Sequence, residues 1–185
     1  VYGGALSVDA PGDHQIGTLY VGNAHLFLTN PVPTFVYVSS NSTYVGNSAS
    51  DFGRMTVGGN TAWGGYLYPY NVPQTTLVIG DNGRGVLTIQ DNAAVTQRLY
   101  VGNNSGSHGA VYQNGGVMHN WGGASSDGRI GYSGYGYYEL NSGTFTNMGY
   151  FHLGRNANSV GILRQTGGAF KMCSVYGGSL GLSRG

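Results

Sequence analysis

The amino-acid sequence predicts an all-β fold of the parallel β-helix type, a solenoid in which each turn of the chain stacks on the turn before it. Three observations lead to this prediction. Gly supplies 35 of the 185 residues, far above its average share of about 7%. Charged residues make up only 8% of the chain, too few for the Lys- and Glu-rich surface that helices use. Short apolar segments that end in Gly recur along the chain, and such self-similarity is typical of solenoids.

Each repeat begins with a short strand that ends at a glycine, here called the marker glycine. Examples are LYVGN from Leu19, TYVGN from Thr43 and FHLGR from Phe151. The corners of a solenoid need residues that tolerate a positive φ, which Gly provides without steric conflict. Successive markers are 22 to 34 residues apart, and the seven are Gly22, Gly46, Gly80, Gly102, Gly131, Gly154 and Gly181.

Two further strands follow the first strand in each repeat. GAVYQN from Gly109 and GILRQT from Gly161 are second strands, and GVMHN from Gly116 and GAFKM from Gly168 are third strands. The glycines between them are expected to form the second corner. Like segments resemble one another across repeats, which favours parallel stacking of equivalent strands over a hairpin meander. The sequence therefore predicts about seven coils with three short strands in each coil.

We interpret residues 1–185 as a single β-helix domain with two loop insertions. The longest repeats contain residues 61–76 and 120–128, and each of these segments carries a tryptophan, Trp63 or Trp121. Insertions in solenoids emerge as loops and often form a binding face. The alternative is that each tryptophan covers the apolar underside of its own loop.

The repeats GAVYQNGGVMHN, GYYELNSGTFTN and GILRQTGGAFKM resemble those of the autotransporter-associated β-strand repeat proteins, which are Gly-rich surface or secreted proteins of bacteria. The resemblance is clear over residues 77–185 and weaker over residues 1–73. It implies a right-handed parallel β-helix, export to the bacterial cell surface or beyond, and a structural or adhesive role. It transfers no catalytic residue to this chain.

The two ends of the sequence lead to an expectation about partners. The first residues, YGGALSVD, match TGGAFKMC from Thr166, and the last residues follow a first strand. Solenoids need polar caps at their ends, and no cap is evident in the sequence. We therefore expect either flanking repeats in the same chain or end-to-end self-association into a filament, since exposed strand edges pair with other strands.

Charge and hydropathy argue against two other classes of partner. The formal net charge is +1, which lacks the basic excess typical of nucleic-acid-binding domains. No apolar run approaches the roughly 20 residues of a membrane-spanning helix. The single cysteine, Cys173, excludes an internal disulfide and is interpreted as a small buried apolar residue.

The polar residues do not form a recognisable catalytic or metal-binding pattern. The seven carboxylates are scattered among corners, whereas glycoside hydrolysis generally needs two carboxylates placed together. The five histidines lack the spacing of metal ligands. We expect no catalytic residues, no metal site and no cofactor, and hence a protein that is not an enzyme.

The best candidates for ligand binding are aromatic. GYSGYGYYEL contains Tyr132, Tyr135, Tyr137 and Tyr138, which together with the two tryptophans could stack on glycans. The alternative is an aromatic ladder that only stabilises the fold. The sequence thus favours an exported structural or adhesive module. A carbohydrate-binding adhesin is the next alternative, and a β-helical polysaccharide-degrading enzyme is a weaker one.

Overall fold

The structure is a computed structural model that describes residues 5–7, 12–38, 42–65, 75–120, 127–172 and 180–182. These residues form sixteen strands, and none of them lies in a helix. The strands are β1 (Ala5–Ser7), β2 (Gly12–Ile16), β3 (Leu19–Val21), β4 (His25–Val38), β5 (Thr43–Val45), β6 (Phe52–Gly65), β7 (Thr76–Ile79), β8 (Arg84–Thr96), β9 (Arg98–Val101), β10 (His108–Asn120), β11 (Asp127–Ile130), β12 (Tyr135–Asn147), β13 (Tyr150–Leu153), β14 (Val160–Gln165), β15 (Ala169–Met172) and β16 (Leu180–Leu182).

The strands form two parallel sheets that run along the solenoid. The long sheet has nine strands, with β1, β4, β6, β8, β10, β12 and β14 in order, while β2 pairs with β4 and β15 pairs with β12. The short sheet has seven strands in the order β16, β13, β11, β9, β7, β5 and β3. Every pairing joins strands of successive coils in parallel. The predicted parallel β-solenoid is therefore confirmed.

The coils are fewer and simpler than the sequence predicts. A regular coil consists of one short-sheet strand followed by one long strand of 13 or 14 residues, and β4, β6, β8, β10 and β12 are these long strands. Five regular coils therefore replace the predicted seven. The predicted second and third strands are joined into one long strand, because backbone pairing continues on both sides of the corner. They are separate strands at the two ends of the solenoid, as β1 and β2, which pair with the two halves of β4, and as β14 and β15 after β13.

The first corner of each coil depends on two glycines that approach the backbone of the neighbouring coil. A Cβ on Gly80 would lie 2.3 Å from the carbonyl oxygen of His108, and a Cβ on Gly109 would lie 2.1 Å from that of Ile79. Backbone pairing continues through the corner, since the N–H of Gly80 donates to the carbonyl of Val45 at 2.8 Å. Five predicted markers have φ between +62° and +76°, as predicted: Gly46, Gly80, Gly102, Gly131 and Gly154.

The second corner lies in the middle of each long strand and explains the repeated Gly-Gly pairs. Gly116 has φ +61°, and a Cβ there would lie 2.1 Å from the carbonyl oxygen of Ala93. A Cβ on the preceding Gly115 would lie 2.7 Å from the backbone of Asp91. Asp91, the register partner of Gly115, supplies the positive φ of its own coil, at +58°, a conformation that Asp tolerates better than most residues.

Alternate side chains of both sheets meet in one continuous core. Val45, Ile79 and Val101 project inward from the short sheet, and Leu87 and Val111 project inward from the long sheet, all fully buried. Aromatic rings fill the core of the later coils, where Phe145 packs against Tyr138, Phe151 and Phe170. Each coil buries its apolar face mainly against its neighbours, as expected for a solenoid.

Two sequence-based expectations need correction. The predicted insertion 61–76 begins too early and ends too late, because Thr61–Gly65 lie in β6 and Thr76 begins β7. The same holds for 120–128, because Asn120 ends β10 and Asp127 begins β11. The remaining residues, 66–74 and 121–126, lie outside the described part of the chain.

The outermost two of the predicted markers differ from the other five. Gly22 follows β3, and its carbonyl accepts a hydrogen bond from the N–H of Ala24 at 2.9 Å. Gly181 is not a corner residue, because it lies inside β16 opposite His152. The position opposite the true corner Gly154 falls just after β16, outside the described residues.

Candidate ligand-binding surface

The outer face of the long sheet carries a column of large side chains along the solenoid axis. Strands β6, β8, β10, β12 and β14 each begin with an exposed residue directly before a glycine. Parallel register stacks these exposed residues, so that unlike side chains from successive coils become neighbours. The members of this column are Phe52, Arg84, His108, Tyr135 and Val160.

A second outward column lies two residues farther along β6, β8, β10 and β12, and the first residue of β4 pairs with it. It contains His25, Arg54, Val86 and Ala110, which are Cα partners in successive strands. Tyr137 continues the column in β12. The large members of both columns lie at the start of the long strands, close to the first corner. We call His25, Phe52, Arg54, Arg84, His108 and Tyr135 the aromatic–basic strip.

The strip is organised by contacts between cations and rings. The guanidinium carbon of Arg54 lies 4.5 Å from the ring centroid of Phe52, and that of Arg84 lies 5.5 Å from the same centroid. Farther along the axis, the rings of His108 and Tyr135 are 5.8 Å apart. Cations at these distances are attracted to the face of an aromatic ring. The two arginines are therefore held beside Phe52 with their hydrogen-bond donors exposed at the surface.

Two open hollows lie along the strip and share Phe52. The first, about 400 Å³, is lined by Asn23, Ala24, His25, Phe52 and Arg54. The second, about 420 Å³, lies between Phe52, Arg84, His108 and Tyr135 and has small residues such as Gly109 and Ala110 between them. Large exposed side chains beside small ones thus produce a shallow groove. Such a groove can accept a flat or extended ligand.

The charge of the strip is positive. Within the described residues, neither Arg54 nor Arg84 has a carboxylate within ion-pair distance. Burial lowers the pKa of His25, and the nearby charge of Arg54 lowers it further. His25 is therefore mainly neutral at pH 7, and its Nε2 lies 2.9 Å from the hydroxyl of Thr56. The two guanidiniums are the fixed charges of the surface.

A second polar cluster lies on the outer face of the short sheet, around Asp127. Arg129 donates two hydrogen bonds to this carboxylate, at 2.9 and 3.0 Å, and Arg155 donates a third. Burial favours a higher pKa for Asp127, but the hydrogen bond and charge of Arg129, with Arg155, outweigh it and lower the pKa. Burial and the charge of Arg155 lower the pKa of nearby His152, although Asp127 opposes them. The two arginines thus have an acidic partner here, unlike those of the strip.

Two of the six predicted ligand-binding residues are in the core. Trp63 is fully buried and donates from its indole nitrogen to the side-chain oxygen of Gln97 at 2.9 Å. Tyr138 is also fully buried, donates to the side-chain oxygen of Gln113 at 2.6 Å, and has a pKa raised well above the ordinary value by burial. Neither side chain reaches solvent, so the prediction that they contact a ligand is wrong. Trp121 lies outside the described residues.

The other three predicted tyrosines are at the surface in different places. Tyr135 is 38% exposed and belongs to the strip. Tyr137 lies on the same face, and its hydroxyl donates to Glu139 at 2.7 Å, which raises the pKa of the phenol. Tyr132 lies beside the Asp127 cluster, where its ring centroid is 4.1 Å from the guanidinium carbon of Arg129. The structure therefore brings Tyr135 and Tyr137 together and places Tyr132 elsewhere.

Of the six residues of the strip, only Tyr135 was predicted from the sequence. The five that were missed are His25, Phe52, Arg54, Arg84 and His108. A signal for the first column was present, because F-G, R-G, H-G and Y-G each begin a long strand at equivalent places. Alignment of the repeats on that second glycine, instead of the marker, would have placed these residues in one column. Unequal spacing between repeats concealed the alignment.

Five carboxylates have hydrogen-bonding or ion-pair partners: Asp51, Asp81, Asp91, Asp127 and Glu139. Asp51 accepts the backbone N–H of Ser48, Asp81 accepts the side chains of Asn103 and Asn104, and Glu139 pairs with Arg164. Over the described ranges, no three His, Cys, Asp or Glu side chains are grouped to hold a metal ion. The same part of the chain contains no helix with the length and apolar character needed to cross a membrane.

Comparison with known proteins finds no matching family model, no matching curated protein and no matching solved structure.

Proposed function

We propose that this chain is an exported structural and adhesive solenoid module that contacts glycans through the aromatic–basic strip. One observation carries the proposal, namely an open column of exposed rings and cations repeated coil after coil on one sheet face. Phe52 and Tyr135 are 36% and 38% exposed although they lie on regular strands. Aromatic rings exposed in a groove are typical platforms for ligands that have flat apolar faces.

The fold supports a scaffold role. Hydrogen-bonded sheets run through every described coil, and the outward columns are fixed to strands instead of loops. A ligand surface built on such strands is held rigidly. The low charge of the chain and its Gly- and Tyr-rich composition favour a location outside the cell, at the bacterial surface or in the surrounding matrix. This location is part of the proposal.

Axial continuation is the second part of the proposed role. The inward residues Leu163, Phe170 and Met172 are only partly buried, whereas the equivalent Tyr138 and Phe145 are fully buried. Apolar side chains of this kind can accept a further coil, supplied by flanking repeats or by a second copy. Electron microscopy tests whether a second copy of the chain supplies the further coil. If it does, we expect thin fibres with a constant axial step. Isolated particles of about 19 kDa at all concentrations would contradict self-association.

Retention on insoluble polysaccharides tests the adhesive role. We expect the protein to be retained by at least one of cellulose, chitin and cross-linked pectate, and the double variant F52A/Y135A to lose retention. Tyr20→Ala is the matched control, because Tyr20 is 41% exposed on the outer face of the short sheet. Retention that is unchanged in F52A/Y135A would show that the strip is not the adhesive surface. Absence of retention on every matrix would refute adhesion to glycans.

A further inference from the structure

We propose that the aromatic–basic strip selects an anionic polysaccharide, with acidic sugars aligned along the solenoid axis. This inference rests on the proposed adhesive function and adds the chemical class of the ligand. Three features of the strip carry it: uncompensated guanidiniums, aromatic platforms beside them, and an axial repeat suited to an extended polymer.

The first feature is the pair of uncompensated arginines. Arg129, Arg155 and Arg164 have carboxylate partners, whereas Arg54 and Arg84 have none within the described ranges. Guanidinium groups form paired hydrogen bonds with carboxylates and with sulfate or phosphate oxygens. Both arginines are exposed beside Phe52, so their N–H groups are accessible to an anionic group.

The second feature is the aromatic rings that lie beside the arginines and along the same column. Phe52 lies between the two arginines at 4.5 and 5.5 Å, and Tyr135 lies beside His108. A pyranose ring has an apolar face of C–H groups that can cover an aromatic ring, while its acidic substituent extends to the side. A sugar packed against the part of Phe52 that the two arginines leave exposed therefore brings its carboxylate or sulfate within reach of Arg54 or Arg84. A neutral sugar would contact only the aromatic ring and would have no acidic group to bind the arginines.

The third feature is the axial repeat. Successive coils are about 4.8 Å apart, close to the length of one hexose unit in an extended chain. Phe52 and Tyr135 are separated by three inter-strand steps, through β8 and β10, which corresponds to about 14 Å. A polymer that follows the axis thus meets Phe52, then Arg84 and His108, then Tyr135. The groove formed by the two hollows runs in the same direction.

The chemistry of the aromatic–basic strip does not favour the binding of nucleic acid. Binding to nucleic acid depends on neutralising many closely spaced phosphates, and the strip offers two permanent cations in a chain of net charge +1. A uronate polysaccharide such as pectate carries one carboxylate per sugar, which corresponds to one guanidinium per coil in β6 and β8. An anionic glycan is therefore the occupant that the strip fits.

Calorimetric titration with defined probes tests the proposal. The probes are a short oligogalacturonate, the same oligomer with its carboxyl groups reduced to alcohols, and single-stranded oligothymidylate. We expect the oligogalacturonate to bind at least about tenfold more tightly than the reduced oligomer, since a hydrogen bond to a charged group contributes more than a neutral one. This comparison uses the unmodified protein, so it does not depend on the folding of a variant.

Variants then locate the binding. The double variant R54Q/R84Q is expected to lose about tenfold or more in affinity for the oligogalacturonate. Arg164→Gln also removes a positive charge from the outer face of the long sheet, but from an arginine paired with Glu139, and it should leave affinity unchanged. Circular dichroism and thermal unfolding of each variant provide the folding control.

The outcomes distinguish this inference from the broader function. Equal binding of the acidic and reduced oligomers, with loss in F52A/Y135A, would overturn anionic selectivity and leave the adhesive function standing. Tighter binding of oligothymidylate would overturn the inference in favour of nucleic acid. No binding of any probe, together with no retention on any polysaccharide matrix, would overturn both proposals. Equal losses in R164Q and R54Q/R84Q would show a non-specific effect of net charge and would also overturn it.

Discussion

Removal of a single buried hydroxyl tests the inward and outward alternation of the long strands. Tyr138 and Tyr137 are adjacent in β12 but project from opposite faces. The hydroxyl of Tyr138 donates to the side-chain oxygen of Gln113 at 2.6 Å, and both residues are fully buried. Tyr138→Phe keeps the ring and its edge contact with Phe145 but leaves the oxygen of Gln113 without this donor.

The expected destabilisation follows from that unsatisfied oxygen. A buried acceptor that loses its partner destabilises the folded state by about 1–3 kcal/mol. For a chain of this size, 1 kcal/mol corresponds to about 2–4 °C in Tm, so Tyr138→Phe should lower Tm by about 2–12 °C. Tyr137→Phe is the matched control, because its hydroxyl bonds Glu139 at the surface. It should change stability by less than about 0.5 kcal/mol.

Urea unfolding followed by circular dichroism measures both variants on one scale. We expect a lower midpoint for Tyr138→Phe with an unchanged slope, since the same surface is exposed on unfolding. A larger loss for Tyr137→Phe than for Tyr138→Phe would show that the two side chains project to the opposite faces from those described. Equal and negligible losses would contradict the buried hydrogen bond to Gln113.

Three further predictions concern the corners, the core and pH. Gly109→Ala should destabilise the protein by about 3 kcal/mol or more, because its Cβ would meet backbone atoms of the previous coil. Gly106→Ala is the control, because a Cβ there meets open space, and it should destabilise by only about 1–2 kcal/mol for its positive φ. Equal urea midpoints of the two variants would contradict the corner geometry. Trp63→Phe should lower stability by about 1–3 kcal/mol, since the side-chain oxygen of Gln97 loses its buried donor. Unchanged stability together with altered glycan binding would instead place Trp63 at the surface. The lowered pKa of Asp127 stabilises the fold above its unfolded pKa of about 3.9, and this contribution disappears as pH falls through the lower folded pKa. Asp127→Asn should therefore lower Tm at neutral pH, and the difference in Tm between the variant and the wild type should become smaller in acid. A Tm difference that stays constant from pH 7 to about pH 2 would contradict this contribution of Asp127.

The architecture could be predicted from local sequence features because backbone sterics strongly restrict which residues can occupy a corner. Gly80 and Gly102 are required by positive φ and by contacts close to the next coil, so their recurrence indicates a corner. The alternation in GAVYQN and GYYELN corresponds to the burial that the structure shows. Gly181 was assigned to the wrong place because a three-residue strand carries too little pattern to distinguish a corner from a position two residues earlier.

The candidate surface was harder to predict because it depends on register between distant residues. Phe52 and Arg84 become neighbours only when β6 and β8 pair, and the length of the intervening segment conceals this relation. Trp63 was expected in a loop because it lies in the longest repeat, but β6 extends to Gly65 and carries the indole into the core. Composition shows that an aromatic residue is present, but the sheet face on which its side chain lies depends on where the strand ends.

The fold and the strip both depend on the pairing of successive coils, which inter-strand proton contacts measured by nuclear magnetic resonance test most directly. We expect contacts between register partners one coil apart, such as Val86 with Ala110 and Ala110 with Tyr137, in the pattern of parallel strands. Antiparallel contacts between β9 and β10, or between the two halves of β10, would contradict the solenoid and the surface built on it.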